Sequence, residues 1–334
     1  MSGFLRVDKL SPDSDERIDE YLSSTRGIHG LVHVFNVEMS SGDFTIDDLA
    51  THETRLDAGS SPVGRFQSVT ADVLSAITDR LFGTALHDKT TGGLHKFAYF
   101  QPFAFPPYTA NAIDIQSLKE LKYLIDWATT TSQWGNVSSG TDEHRVYASV
   151  ADELPEVYIP RIDRNDVDLS GSGDREDVTF QENVAYIVLR EKDGTEVIGD
   201  VRVQRDGETV YDDVPGSVSA DVDPLDVVTQ MFQTGDVAAS DYAPNVHVLN
   251  VLQGQDPESA LASTVNVEIE GAGSGDVDVF ALSADYENSR SDRSLSRTIS
   301  RLDSRRENTG LASIRQRMQQ LEEVVASEVR TNYG

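Results

Sequence analysis

The chain has 334 residues, and its 57 acidic against 28 basic side chains leave a formal charge of −29. It has no cysteine, which excludes disulfides, thiolate zinc sites and thiol nucleophiles. It has no run of about 18 apolar residues that could cross a membrane as a helix, and its start lacks the apolar core of a secretory signal, so residence in a cytoplasm is expected.

Taken in order, Ser11-Pro12-Asp13 is a helix-start signal, and Ile18, Tyr21 and Leu22 then share a helical face, predicting a helix over 11–26. Residues 28–39 are rich in valine and aromatic side chains and predict a strand. Its His29 and His33 share a face but lie about 13 Å apart along a strand, too far for one metal ion. Residues 40–65 read as polar and turn-rich. Val69, Val73, Leu74, Ile77, Leu81 and Phe82 recur at helical spacing and predict an amphipathic helix that stops at Gly83. Half of residues 97–108 are aromatic, and Pro102, Pro106 and Pro107 disfavour both a helix and a central strand, so an extended arm packed on a surface is expected. Leu118, Leu121, Leu124, Ile125 and Trp127 predict another helix, followed by a polar linker at 131–144.

Residues 145–285 read mostly as strands. Asp193-Gly194 and Asp206-Gly207 are hairpin turn signals that would join 184–190, 197–204 and 209–214 into a meander. A short helix is expected over 224–232, and further strands over 246–252, 264–269 and 277–282. No repeat of fixed period is visible. The charge then turns over. Arg290, Arg293, Arg297, Arg301 and Arg305 form one helical stripe, opposite Leu295, Ile299 and Leu302. After a break at Asn308-Thr309-Gly310, Leu311, Ile314, Met318, Leu321 and Val325 make a heptad seam, a candidate assembly surface. The arginine stripe could suggest nucleic acid, but no aromatic side chains interleave it for base stacking, and phosphate binding collapses at high salt. Pairing with acidic protein surface is the favoured reading.

One segment matches an oxygen-ligand loop for Ca²⁺. Asp166, Asp168 and Ser170 fall at its positions 1, 3 and 5, Gly171 at the turn, Asp174 at 9 and Asp177 at 12. A hard cation needs oxygens at alternate positions of a tight loop. The match departs in the short Asp at its last position and in Gly173 where an apolar residue is usual. A solvated acidic loop is the alternative, and no other cofactor is indicated. No phosphate-binding loop, dinucleotide fingerprint or nucleophile elbow is present.

The kind of charge carries more than its size. There are 36 Asp and 21 Glu, and the bases are 22 Arg and 6 Lys. Abundant Asp with depleted Lys resembles the proteins of salt-in halophiles. At molar salt the Debye length is about 3 Å, so a like-charged surface barely repels itself. In general character the acidic body, proline-aromatic arm, sandwich-like middle and docking tail are similar to structural proteins of halophilic archaeal viruses. That resemblance implies a non-enzymatic virion component (capsid, vertex, spike or tail-connector subunit) whose partners are itself and other structural subunits, assembled in a high-salt cytoplasm. The alternatives are a cytoplasmic oligomeric binding module of the host, and an enzyme without a recognisable motif. The fold class read here is α+β. A mixed α/β region spans 1–130, a β-rich sandwich or jelly-roll-like domain 145–286, and an α-helical, coiled-coil tail 287–334.

Overall fold

The computed structural model describes residues 3–10, 18–21, 28–41, 46, 49–58, 61–82, 86–89, 93–103, 120–127, 134–138, 143–150, 158–181, 184–192, 197–215, 245–251 and 264–286. In chain order its first elements are β1 (Gly3–Leu10), β2 (Ile18–Tyr21), β3 (Ile28–Glu38), β4 (Ala50–Ala58) and β5 (Ser61–Thr70). The helix α1 (Ala71–Ile77) follows and runs into a π-helical turn, Thr78–Phe82. Then come β6 (Leu86–Lys89), β7 (Leu94–Pro102), β8 (Glu120–Trp127) and β9 (Glu143–Val150). The rest is β10 (Tyr158–Leu169), β11 (Arg175–Gln181), β12 (Val184–Glu191), β13 (Ile198–Arg205), β14 (Glu208–Pro215), β15 (Val246–Asn250), β16 (Thr264–Gly271) and β17 (Gly275–Tyr286).

These elements form two compact units. The first holds β1–β4, α1, β6–β9 and the start of β5; the second holds Arg65–Val69 of β5 and β10–β17. In the first unit one sheet runs β1-β9-β3-β7-β6 and the other β5-β4-β8-β2. In the second, one sheet contains β15-β12-β17-β10 and the other runs β11-β16-β13-β14. Setting aside β6, an edge hairpin on β7, and counting β5 with the first unit, each unit has eight strands among the described residues. Numbered from one to eight within each unit, both give the same orders, 1-8-3-6 and 2-7-4-5. Two sheets wound this way, with the last strand returning beside the first, make a jelly roll. The chain therefore contains the same jelly roll twice.

Side-chain pattern explains which strand goes where. In β16, Val265, Val267 and Ile269 are buried while Thr264, Asn266, Glu268 and Glu270 are partly or fully exposed, the alternation of a sheet with one wet face. β13 alternates in the same way. By contrast β12, β15 and most of β17 are buried on both faces and read as continuous apolar runs. Valine, isoleucine and leucine from both sheets of the second roll, among them Leu169, Ile187, Val201, Val267 and Val279, fill its interior. In the first roll β3 and β7 are buried on both faces as well. α1 packs on β7, where Phe82 meets the Phe100 ring edge-on at 5.3 Å. The Thr78 hydroxyl donates to Leu74 O at 2.6 Å and accepts from Phe100 N at 2.8 Å, pinning the π turn to the strand.

Several sequence expectations hold: the strand at 28–39, the helix ending at Phe82, and the strand-rich region after 145. Others are corrected. The N-terminal region is not mixed α/β but β-rich, with α1 and two short helical turns among its described residues. Ile18–Tyr21 is a strand antiparallel to β8, where a helix was expected. The turn-rich reading of 40–65 misses β4 and the start of β5. The helix expected around Leu121 is β8. Ile125 and Trp127 are buried with exposed Asp126 between them, a period of two, and leucines spaced by three and four did not discriminate. The proline-aromatic stretch contributes Phe97, Tyr99 and Phe100 to β7 as interior side chains, with Pro102 ending that strand; 104–108 lie outside the described residues. The linker expected at 131–144 runs into β9, which pairs with β1 and β3.

The meander is corrected in part. Asp206 and Gly207 take φ of 51° and 82°, the turn expected, and join β13 to β14. β12, however, lies in the other sheet, beside β15 and β17, because it is apolar on both faces. The helices expected over 224–232 and 287–334 lie outside the described residues. Among the described residues no helix is long and apolar enough to cross a membrane.

Candidate functional site

Two clusters of buried polar side chains stand out, one in each roll. In the first, β3 places His33 beside His144 of the neighbouring β9, and both face His52 of β4 in the opposite sheet. The His33 ring lies 4.4 Å from that of His52 and 5.3 Å from that of His144, and all three are buried. His33 Nδ1 is 3.1 Å from His144 Nε2, and His33 Nε2 is 3.1 Å from Gln101 Oε1. Because the Gln101 oxygen can only accept, His33 donates from Nε2, and its Nδ1 accepts from His144 Nε2–H. His52 Nε2 meets the Tyr99 hydroxyl at 2.7 Å. Phe35 stacks on His144 at 3.8 Å and Trp127 meets it edge-on at 5.8 Å.

Burial sets the titration of this cluster. It lowers His33 from 6.5 to about 4 against a counter-pull from the Gln101 hydrogen bond. It also lowers His52 and His144 well below the usual range, with repulsion from His33 adding to the effect. The Tyr99 hydroxyl is raised, first by burial and then by Asp72. Three uncharged imidazoles therefore line the inside of the first roll at neutral pH. This grouping was not legible in the sequence: His33 and His144 are 111 residues apart, and only the register of β3 with β9 brings them together.

In the second roll Asp278 of β17 is fully buried and meets Arg164 of β10 at 2.9 Å, Arg190 of β12 at 3.2 Å, and Lys192 at 3.1 Å. Burial and a hydrogen bond with Asp166 push the Asp278 carboxyl up; Arg164 and Lys192 pull it back. Sheet order explains the geometry, since β17 lies between β10 and β12.

The segment expected as a Ca²⁺ loop is the corner where the chain passes from β10 in one sheet to β11 in the other. Asp166 and Asp168 are on β10, and Asp177 is on β11. Asp166 pairs with Arg164 at 3.0 Å, and the hydrogen bond with Asp278 holds its carboxyl low. The Asp174 carboxylate accepts from Ser170 N at 2.8 Å and Ser170 Oγ at 2.7 Å, which holds it below the usual range. Asp177 accepts from Asn266 at 3.2 Å. Gly173, at a φ of 81°, donates its N–H to Gly271 O at 2.8 Å, tying the corner to the end of β16. Among the described residues no three His, Asp or Glu side chains are grouped to hold a metal ion. Because the carboxylates of Asp166, Asp174 and Asp177 already accept from protein donors, adding Ca²⁺ at constant ionic strength is expected to leave the melting temperature unchanged. A rise that Asp166→Ala with Asp168→Ala abolishes would instead establish the cation site. The seam residues Leu311, Ile314, Met318, Leu321 and Val325 lie outside the described residues.

No protein-family model matches this sequence, and no curated protein matches it either. Solved structures do. The major capsid protein P2 of bacteriophage PM2 aligns with a TM-score of 0.53 at 10% identity, covering 86% of this chain and 99% of that one. The STIV MCP aligns at 0.57 and 9% identity, covering 86% and 97%. A chain of the atomic structure of Sulfolobus Turreted Icosahedral Virus aligns at 0.58 and 9% identity, covering 95% of this chain and 99% of its own length. At such identities the likeness is one of fold, and it spans both jelly rolls.

Proposed function

We propose that this chain is a non-enzymatic capsid subunit of a virion. The observation that carries the reading is the doubled jelly roll: two eight-stranded rolls of identical strand order in one chain, similar along nearly their whole length to the major capsid protein P2 of bacteriophage PM2 and to a chain of Sulfolobus Turreted Icosahedral Virus. Rigid sandwiches with filled interiors suit a shell subunit, whose work is done at its surfaces. Its partners are copies of itself and other structural subunits, and its location is the virion. The charge of −29, carried by Asp in excess and offset mainly by Arg, supports assembly in a high-salt cytoplasm of a halophilic archaeon. The heptad seam from Leu311 to Val325 is about two heptads long. A helix of that length is marginal alone in water, so it serves by packing on a neighbouring subunit.

Negative-stain microscopy and light scattering at molar salt test this reading. Rings, shells or sheets of subunits are expected; small compact oligomers alone would favour a binding module instead. Ile314→Asp with Leu321→Asp should keep the far-UV spectrum while dropping the scattering mass to a smaller species. A body that unfolds, or a mass that does not change, removes the tail from assembly. Dialysis to about 0.1 M salt, where screening reaches about 10 Å, should loosen the fold. An unchanged melting temperature there would sink the halophilic part of the reading alone.

A further inference from the structure

We propose that the interior of the first jelly roll is an acid-sensitive latch: when His33, His52 and His144 take up protons, this roll loosens at a pH where the second roll is still intact.

The argument begins with proton placement. In the neutral cluster the His33 Nδ1 lone pair receives the His144 Nε2–H, and its own Nε2–H is received by Gln101. A proton on His33 Nδ1 would turn that contact, 3.1 Å long, into one N–H facing another. Nor do the other two rings have a place for a proton. The Nδ1 atoms of His52 and His144 are buried with no hydrogen-bond partner among the described residues, so an added N–H there would meet no acceptor. The charges would also crowd, with rings 4.4 and 5.3 Å apart.

The surroundings offer little compensation. On the same face of β3 and β7 the titratable groups are His29, His95 and Tyr99; α1 contributes Asp72, whose field reaches Tyr99. β8 brings the neutral indole of Trp127, and β9 brings Val146 and Ala148. The described hydrogen bonds of the three imidazoles go to one another, to Gln101 and to Tyr99, and none goes to a carboxylate.

The sign follows from linkage. An unfolded histidine binds its proton near pH 6.5 and folded His33 only near 4, so the unfolded state binds more protons between these values. Stability is therefore fully present above about 6.5 and is lost as pH falls toward 4. The second roll also buries a histidine, His247, but a carboxylate faces it, Glu191 Oε1 at 3.5 Å, so a proton there gains a counter-charge, and buried Asp278 is held by Arg164, Arg190 and Lys192. The difference between the two interiors makes the response local to one roll.

The chain carries its own probe. Its two tryptophans, Trp127 and Trp134, both belong to the first unit. The full chain is titrated with acid at constant molar salt, with tryptophan fluorescence reporting on the first roll. Hydrogen exchange of peptides from β12, β16 and β17, referenced to unfolded chain at each pH, reports on the second. The expected result is a fluorescence transition between about pH 6 and 4 with second-roll protection retained through it. His52→Leu with His144→Phe, which keeps the ring stacked on Phe35, should move the fluorescence midpoint down by about one pH unit. Simultaneous loss of both signals, a fluorescence signal flat to pH 4, or an unmoved midpoint in a folded double variant would overturn the latch. If the variant does not fold, the two-probe comparison on the parent chain decides. Both readouts are taken on the chain itself, so they stand apart from whether it builds a shell.

Discussion

Replacing Asp278 with alanine is expected to cost about 2–4 kcal/mol, because three cations lose the buried carboxylate they share, while Arg164 and Lys192 keep only Asp166 and Asp276 nearer the surface. The carboxylate has 0% side-chain exposure and receives Arg164, Arg190 and Lys192 within 3.2 Å. It sits on β17, between the strands that carry both arginines, so one side chain joins three neighbouring strands. Arg164 is also committed elsewhere: it donates to Ser68 O at 3.3 Å and lies 5.8 Å over the Phe280 ring, so it cannot swing out to water without further loss. In a chain of this size the deficit corresponds to a fall in melting temperature of roughly 3–6 °C. Asp278→Asn, which keeps the shape and removes the charge, should fall in between. Thermal melts at constant molar salt measure both, and a midpoint unmoved in the alanine variant would show that the three cations find other partners.

Phe35→Ala is expected to destabilise the first roll by about 3–5 kcal/mol, the range for emptying a buried aromatic site. The ring is fully buried, stacked at 3.8 Å on His144 and 6.4 Å from Tyr99, in the middle of β3. Strands on both sides limit collapse of the site, since β3 is paired with β7 and β9 along most of its length. A cavity would form against the histidine cluster, with fewer neighbours to hold His144 beside His33. The change is read as a lowered melting midpoint in tryptophan fluorescence, because Trp127 contacts the same imidazole. A shift of less than about 2 °C would mean that the ring is not packed as described.

How much of this was legible beforehand depended on how unambiguous the local pattern was. The run 28–39 showed as a strand because valine and aromatic side chains crowd it, and the Asp206-Gly207 turn because both positions need positive φ. β8 was misread because Leu118, Leu121, Leu124 and Ile125 fit a helical face as well as a strand, and only the exposure of Asp126 between buried Ile125 and Trp127 separates the two. β7 was misread because its prolines were taken to speak for the whole stretch, whereas Pro102 merely ends the strand.

The amino-acid sequence by itself determined the chemical character: an acidic, lysine-poor, cysteine-free chain with a β-rich second half. It also determined the Asp206-Gly207 hairpin, since turn geometry is a property of two or three adjacent residues, but the same signal at Asp193-Gly194 stands between strands of different sheets. Only the tertiary structure decided that the first half repeats the jelly roll of the second, that the Ca²⁺-like loop is a sheet-to-sheet corner with protein donors on its carboxylates, and that three distant histidines share one interior. Those outcomes depend on register between strands more than a hundred residues apart, as with β3 and β9. Because side chains alternate along a strand, a shift of one residue would turn the whole interior outward, and no local pattern records which register is taken.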